Sequence, residues 1–334
     1  MTVRALVVER PGEIDLIQRA DPIGGPGEVL VRPALVGLCG TDLEIIDGRV
    51  DPEFVRYPIT LGHEWMGVVV SDGEIVAPGT VVVAEGIVPC RECDRCLSGA
   101  TNLCTTYAEL GFTIDGAASD RVVVRADLVH RLAPGVDPED AACIEPMAVV
   151  YRALRRAQPK AGCSVLVIGD GTVAMLAAHV LRLWSPADIV MLGLRPEQAT
   201  LASAAGAARF ETDPTIAAGG FDLVVEAAGS ANAVVTAVAG AGRGGTVVQL
   251  GLAGHGVTAA IPVDDVVDRD LTILGSFSYT SSAWSDVVDL VNSGRLHPGL
   301  AVTHRFAFDA WATAVETLRG GAGPRGKVLL AIDE

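Results

Sequence analysis

Cys90, Cys93, Cys96 and Cys104 are separated by two, two and seven intervening residues. Cysteines at such spacing can place their thiolates on one tetrahedral ion, and four sulfur ligands leave no open position, so the loop predicts a structural zinc site that holds a segment without doing chemistry. A disulfide cluster is the competing reading. It suits a small secreted domain, whereas this chain has 334 residues and too short an apolar run over residues 1–9 for a secretory leader. The chemistry is therefore expected elsewhere. Cys39, in Gly37-Leu38-Cys39-Gly40-Thr41-Asp42, and His63, in Leu61-Gly62-His63-Glu64, fall in predicted turns, where a purely packing role is uncommon. One thiolate, one imidazole and a third ligand from later in the chain would leave a fourth zinc position open for water or substrate. A third motif, Gly169-Asp170-Gly171-Thr172-Val173-Ala174, follows an apolar run and opens a predicted helix. Its glycines permit a tight turn and backbone approach to a pyrophosphate at the helix N-terminus, with Ala174 in the place of the third glycine.

These motifs need two kinds of scaffold. Residues 1 to about 145 carry short β-branched runs at 5–8, 29–31, 67–70, 80–84 and 121–124, broken by Gly and Pro, the pattern of an all-β region with functional loops. From about 150 to 283 the pattern alternates: strand 164–168, helix 172–184, strand 188–192, helix 196–205, strand 222–226, helix 231–239, then strands 246–250 and 271–275. Such alternation predicts a parallel, doubly wound sheet. Helices near 282–292 and 310–318 and a strand at 327–332 are expected to return to the first domain. The expected division is a catalytic zinc-binding β domain over 1–148, completed by about 284–334, and a dinucleotide-binding domain over 149–283.

The formal net charge of −16 repels polyanions, which argues against a nucleic-acid or anionic-membrane surface and against reading the cysteine loop as a nucleic-acid-binding ribbon. No uncharged apolar stretch reaches the roughly 18 residues that a membrane span needs. A cytoplasmic location, where thiols stay reduced for metal, is expected. Lys160 and Lys327 are the only lysines, and their scarcity reads as a genomic bias, not a functional patch.

The Cys39-Gly40-Thr41-Asp42 turn, the Gly62-His63-Glu64 turn, the four-cysteine loop and the dinucleotide motif, in that order, resemble the zinc-dependent medium-chain alcohol dehydrogenases over essentially the whole chain. The resemblance implies an α/β protein with a GroES-like β-rich catalytic domain and a Rossmann domain. It also places a third catalytic ligand just before that domain, within Ala142-Cys143-Ile144-Glu145-Pro146-Met147-Ala148. The Glu-Pro-hydrophobe pattern is similar to the sorbitol and glucose dehydrogenase branch, where a Glu or a bound water replaces the second Cys of the simple alcohol enzymes. The implied catalytic zinc set is Cys39, His63 and Glu145, with Glu64 able to move onto the metal, while Cys143 reads as a buried small hydrophobe. Thr41 matches the hydroxyl that passes the substrate proton toward the cofactor ribose, though a Thr there could also simply cap the turn. Glu44 stands where simple alcohol dehydrogenases often carry a His, a departure shared with glucose dehydrogenases. Glu109 matches a carboxylate that those enzymes set against sugar hydroxyls, and from the residues alone it is equally a solvated loop charge.

The cofactor set is Gly169, Gly171, Thr172, Val173, Gly193 and Arg195. Gly193 stands where the second strand would end in an acid that binds the NAD ribose. Arg195 could pair with a 2′-phosphate, a charge-assisted bond worth roughly 1.5–3 kcal/mol, or about tenfold to a hundredfold in preference. The alternative is that Arg195 merely opens the next helix in solvent. The Gly plus Arg pattern resembles the NADP-using branch, so NADP is expected, with NAD as the alternative. The resulting expectation is hydride transfer between NADP and a secondary alcohol of a sugar, polyol or cyclitol, with two zinc ions per chain. A homodimer or homotetramer would form through the 271–275 strand, by analogy with relatives. The alternatives are an NAD-dependent amino-alcohol or aminocyclitol dehydrogenase, the latter a reading Trp65 invites, or a simple secondary-alcohol dehydrogenase. A non-catalytic zinc regulator would leave Cys39 and His63 unexplained, and a zinc-free quinone reductase would lack both metal sets.

Overall fold

The computed structural model describes residues 2–70, 76–321 and 323–332. The chain divides into two compact units, one formed by Met1–Glu145, Tyr279–Ala322 and Lys327–Glu334, the other by Pro146–Ser278 and Gly323–Gly326.

The first unit is β-rich. Its main sheet has seven strands, in the order Val302–Ala307, Lys327–Ala331, Glu28–Leu38, Glu64–Val69, Val81–Ala84 and Val129–Arg131, with Val122–Arg125 pairing off Glu28–Leu38. The central strand Glu28–Leu38 alternates buried and half-buried residues over most of its length, as a strand with one face on a core does. Leu38, Val36 and Val31 bury there with Leu61, Trp65 and Phe308. Trp65 is thus core packing. Register then places the functional turns side by side. Gly37 pairs with Glu64 and Leu38 with Val328, so Cys39, Glu64 and Lys327 leave neighbouring strands at the same level. Gly37 has to be glycine, because a Cβ there would run into the Glu64 carboxylate. A second sheet has three strands and pairs Thr2–Arg10 with Glu13–Ala20 and Ile59–Thr60. Glu13–Ala20 and Val302–Ala307 escape a reading based on β-branched runs because both are polar and half-exposed, being stabilised by ladder pairing more than by burial.

The second unit is a six-stranded, wholly parallel sheet in the order Arg209–Glu211, Asp188–Leu192, Ser164–Ile168, Phe221–Glu226, Ala241–Gln249, Thr272–Gly275. Numbered along the chain this is 3-2-1-4-5-6, the dinucleotide-binding order, with its switch point between Ser164–Ile168 and Phe221–Glu226. These two strands are apolar runs because parallel strands are covered on both faces, and Val165, Leu166, Val167, Val224 and Val225 are nearly inaccessible. The helix Thr172–Leu181 buries every residue from Ala174 onward. The predicted 196–205 helix starts as one 3-10 turn, Pro196–Gln198, before the α-helix Ala199–Ala205. The short strand Arg209–Glu211 and the exposed helix Val263–Asp268 carry no strong apolar pattern and lie outside the sequence reading. Among the described residues, no helix is long and apolar enough to cross a membrane.

Candidate metal centres and dinucleotide site

Cys39 caps the short helix Gly40–Ile46, where its own backbone N–H donates to Asp42 Oδ2 at 2.8 Å. His63 follows Gly62, whose φ of +102° only glycine adopts readily and whose Cβ would meet the Ala118 nitrogen at 2.6 Å. Those two constraints bring the Cys39 thiol, the His63 imidazole and the Glu64 carboxylate together, one ligand atom from each lying within 4.8 Å of the others. His63 Nδ1 faces Asp42 Oδ1 at 3.6 Å and its Nε2 lies 3.9 Å from Glu64 Oε1. The ring edge away from Asp42 is thereby turned toward the ligand cluster, and Asp42, beyond hydrogen-bond distance, acts on the ring through its charge. Burial opposes charge on His63, but Asp42 and the Cys39 thiol outweigh it and hold its pKa well above the ordinary value.

Glu145, in the first turn of the helix Ile144–Ala157, is buried near this cluster and interacts with Glu64, His63, Glu109 and Lys327, but it does not join the three converging ligand atoms. Burial, reinforced by Glu64, pushes its pKa up to about 8. A half-buried thiol, a buried imidazole and a buried carboxylate converging in this way, with the Glu145 carboxyl buried nearby, fit a divalent ion that takes mixed sulfur, nitrogen and oxygen ligands, which is zinc. Cys143 is fully buried, its thiol pushed up by burial, and it stays out of the cluster.

Thr41 Oγ1 lies 3.7 Å from Cys39 Sγ and is half-buried, so its hydroxyl borders the cluster. Glu109 is buried, not solvated: Tyr107 donates its hydroxyl to the carboxylate, the Glu109 N–H donates to Thr113 Oγ1 at 2.9 Å, and burial pushes the side-chain pKa up to about 7. The solvated-loop alternative for Glu109 therefore fails, because the Ile87–Glu109 bridge pulls this stretch inward. Phe112 from the same stretch packs against His63 with ring centroids 5.0 Å apart and ring planes tilted by 57°. Glu44 stands apart from the ligand cluster. It is half-buried on the Gly40–Ile46 helix and takes no part in the ligand cluster or in its hydrogen bonds among the described residues.

Asp42, Tyr107 and Lys327 are the site residues that the sequence reading left without a role. Lys327 Nζ is buried, donates to the Leu38 carbonyl at 3.2 Å and to Glu64 Oε1 at 2.6 Å, and is held protonated by Glu64 and Cys39 against the cost of burial. Its scarcity was uninformative as a compositional statistic. The usable signal was position, since a lone cation heading the apolar strand Lys327–Ala331 must find a buried partner.

In the cysteine loop the four sulfurs lie within 4.8 Å of one another, none forms a disulfide, and Cys90 Sγ and Cys96 Sγ are 3.9 Å apart. Backbone N–H groups aim at the sulfurs: Cys93 N–H to Cys90 at 3.3 Å, Cys96 N–H to Cys93 at 3.5 Å and Cys90 N–H to Cys104 at 3.3 Å. The N–H groups of Thr105 and Cys96 draw the Cys93 thiol down to about 5, while burial pushes Cys96 up to about 12. Four thiols so arranged fit a zinc ion that would let all of them ionise.

In the second unit, Gly169 ends the strand Ser164–Ile168 at φ +129°, and a Cβ there would meet the Ala227 backbone at 3.0 Å. Gly171 caps the helix Thr172–Leu181 and faces open space, which leaves its backbone and the half-buried Thr172 and Val173 accessible to an anion. Across the switch point Glu226 accepts the N–H groups of Ala228 at 2.9 Å and Gly229 at 2.8 Å and so shapes the facing turn. Gly193 is buried at the end of Asp188–Leu192. Arg195 is not a solvated helix start: its Nη2 pairs with Asp170 Oδ1 at 2.8 Å.

The fold agrees with the families and solved structures that the chain resembles. Residues 25–134 match the alcohol dehydrogenase GroES-like domain family and residues 171–293 the zinc-binding dehydrogenase family. The chain is 32% identical over 347 residues to sorbitol dehydrogenase of Mus musculus, covering 98% of this chain and 96% of that one. A zinc-binding dehydrogenase from Sinorhizobium meliloti 1021 bound to NADP superposes with a TM-score of 0.93 at 28% identity, covering 99% and 100% of the two chains. A structure from E. coli CFT073, described as a short chain alcohol dehydrogenase complexed with NADH, superposes with a TM-score of 0.91 at 26% identity, covering 99% of each.

Proposed function

The chain belongs to the zinc-dependent medium-chain alcohol dehydrogenases, near their sorbitol dehydrogenase branch, and on that premise we propose that it moves a hydride between NADP and a secondary alcohol of a sugar, polyol or cyclitol. The observation that carries this reading is the convergence of Cys39, His63 and Glu64 in the same buried region as Glu109 and Glu145. When bound, zinc supplies Lewis-acid stabilisation of an alkoxide and the nicotinamide accepts the hydride. The remaining work falls to the protein. Cys39, His63 and Glu145 would hold the catalytic ion, with Glu64 as an exchanging fourth ligand, and the Asp42 carboxylate facing His63 Nδ1 would orient the ring. Thr41, beside Cys39, would relay the substrate hydroxyl proton, accepting it as its own hydroxyl proton passes on toward the cofactor ribose. Glu109, with Tyr107 donating to it, offers a buried polar pair to a further substrate hydroxyl, which supports a polyhydroxylated substrate over a greasy one. Glu44 is a weaker candidate for such a contact, because it lies outside the hydrogen-bonded cluster. Cys90, Cys93, Cys96 and Cys104 would hold a second, structural zinc.

Gly169, Gly171, Thr172 and Val173 would take the pyrophosphate, and Gly193 with Arg195 supports NADP over NAD. The edge strand Thr272–Gly275, with Ile273 and nearby Phe277 exposed, supports pairing with a second copy, a dimer or a tetramer built from dimers. The catalytic β unit and the dinucleotide unit are taken as the two functional domains, in a cytoplasmic enzyme. The test is the rate of NADP⁺ and NAD⁺ reduction at matched concentrations across sugars, polyols, cyclitols and simple secondary alcohols, with and without a zinc chelator. Chelator-sensitive reduction of NADP⁺ by a polyol is the expected result. Reduction of NAD⁺ alone would overturn the cofactor, and turnover of simple alcohols alone would overturn the substrate class.

A further inference from the structure

The Gly-rich turn and the end of the second parallel strand meet in a charged cluster. Asp170, the residue between Gly169 and Gly171, turns its carboxylate onto that strand end. Oδ2 accepts the N–H groups of Leu194 at 2.9 Å and Arg195 at 3.0 Å, Oδ1 accepts Arg195 Nη2 at 2.8 Å, and Arg195 Nε lies 3.3 Å from both oxygens. A carboxylate has about four lone-pair sites, so this one has no capacity left for the ribose hydroxyls of NAD. The same side chain closes position 193. A Cβ there would stand 2.6 Å from Asp170 Cβ and 2.6 Å from Phe210 Cζ, so the acid that would select NAD is absent and has no room.

The ion pair also neutralises Arg195, which leaves the cluster's positive charge to another residue. Gln198, fully buried, brings that residue in. Its Oε1 accepts the Arg325 N–H at 2.8 Å, its Nε2 donates to the Arg325 carbonyl at 2.8 Å, and the same Nε2 donates to the Asp170 carbonyl. Arg325 is half-buried and, among the described residues, has no carboxylate within ion-pair distance. Burial and the neighbouring Arg195 charge push its pKa down, with Asp170 only partly offsetting them, as expected of a cation short of a counter-anion.

We propose that Arg325, together with Arg195 held in place by Asp170, forms the subsite for the 2′-phosphate of the cofactor, and that Arg325 is its main discriminating charge. The proposal rests on the NADP reading. A phosphate monoester brings about −1.5 to −2 charge at neutral pH into a cluster that carries one unmatched positive charge.

The test is calorimetric binding of adenosine 2′,5′-bisphosphate and of 5′-AMP to the full-length protein, which differ only in the 2′-phosphate and need neither metal nor turnover. The wild type is expected to prefer the bisphosphate. Arg325→Ala should cut that preference about tenfold to a hundredfold while 5′-AMP affinity holds, and Arg325→Lys should restore part of it, since a point charge replaces the fork. If the wild type prefers the bisphosphate but both Arg325 variants keep its ratio within about twofold, the role of Arg325 is overturned and the NADP reading stands. If the wild type does not discriminate, the NADP reading falls, and the subsite with it.

Discussion

Lys327 Nζ lies 2.6 Å from Glu64 Oε1, and both side chains are almost wholly buried. The pair spans two strands flanking Glu28–Leu38, and the cation steadies a carboxylate that stands 3.9 Å from the His63 ring. Removing one member of a buried pair leaves the other uncompensated, at about 3–5 kcal/mol. Lys327→Met is therefore expected to destabilise the protein by about that amount in urea unfolding of the metal-free form. Lys327→Met paired with Glu64→Gln should recover much of the loss, and a double variant no more stable than Lys327→Met alone would refute the coupling.

The two metal sets predict two separable zinc ions. Elemental analysis of the purified protein should give two per chain. Cys39→Ser should retain one zinc, keep the fold and lose alcohol oxidation. Cys93→Ser should lose the other and lower the melting temperature, since a loop held by four sulfurs loses its tether. A single zinc that survives Cys39→Ser and disappears with Cys93→Ser would leave the chain with its structural ion only and no catalytic centre.

Glu109 is buried with Tyr107 as its donor, so Glu109→Gln preserves shape while removing the charge that the group carries above its raised pKa of about 7, and the comparison belongs on the alkaline side of that value. If this carboxylate receives a substrate hydroxyl, kcat/KM for polyols should fall about tenfold to a hundredfold, the worth of a charge-assisted hydrogen bond. Simple secondary alcohols, lacking the second hydroxyl, should be turned over almost unchanged. Equal losses for both substrate classes would give Glu109 a structural role instead.

Placing an acid at position 193 is the obvious way to redirect the cofactor, but the space is taken. Gly193→Asp alone should destabilise the protein by about 1–3 kcal/mol through overpacking against Asp170 and Phe210, without creating an NAD enzyme. Combined with Asp170→Gly the new acid loses its clash with residue 170 and keeps only the one with the end of the Phe210 ring, and the ratio of NAD⁺ to NADP⁺ efficiency should rise beyond the sum of the single effects. Additive effects would show that the two positions do not compete for the same space.

The sequence by itself determined what depends on neighbours along the chain. Spacing alone marked Cys90, Cys93, Cys96 and Cys104 as one metal loop. The two-glycine turn after Ser164–Ile168, with the strand and helix alternation, specified the parallel dinucleotide sheet, because a helix N-terminus, a tight turn and an apolar strand are local properties. Cys39 and His63 stood out because their turns had no packing reason for them. Tertiary structure decided whatever depends on burial and on contacts distant in sequence. Glu109 was solvated or buried according to whether its stretch folds inward, Arg195 was free or paired according to where Asp170 points, and Lys327 took its partner from a strand 263 residues earlier. No local pattern encodes those outcomes, because the energy of a charge is set by the dielectric and the partners around it, and these exist only once the chain has folded.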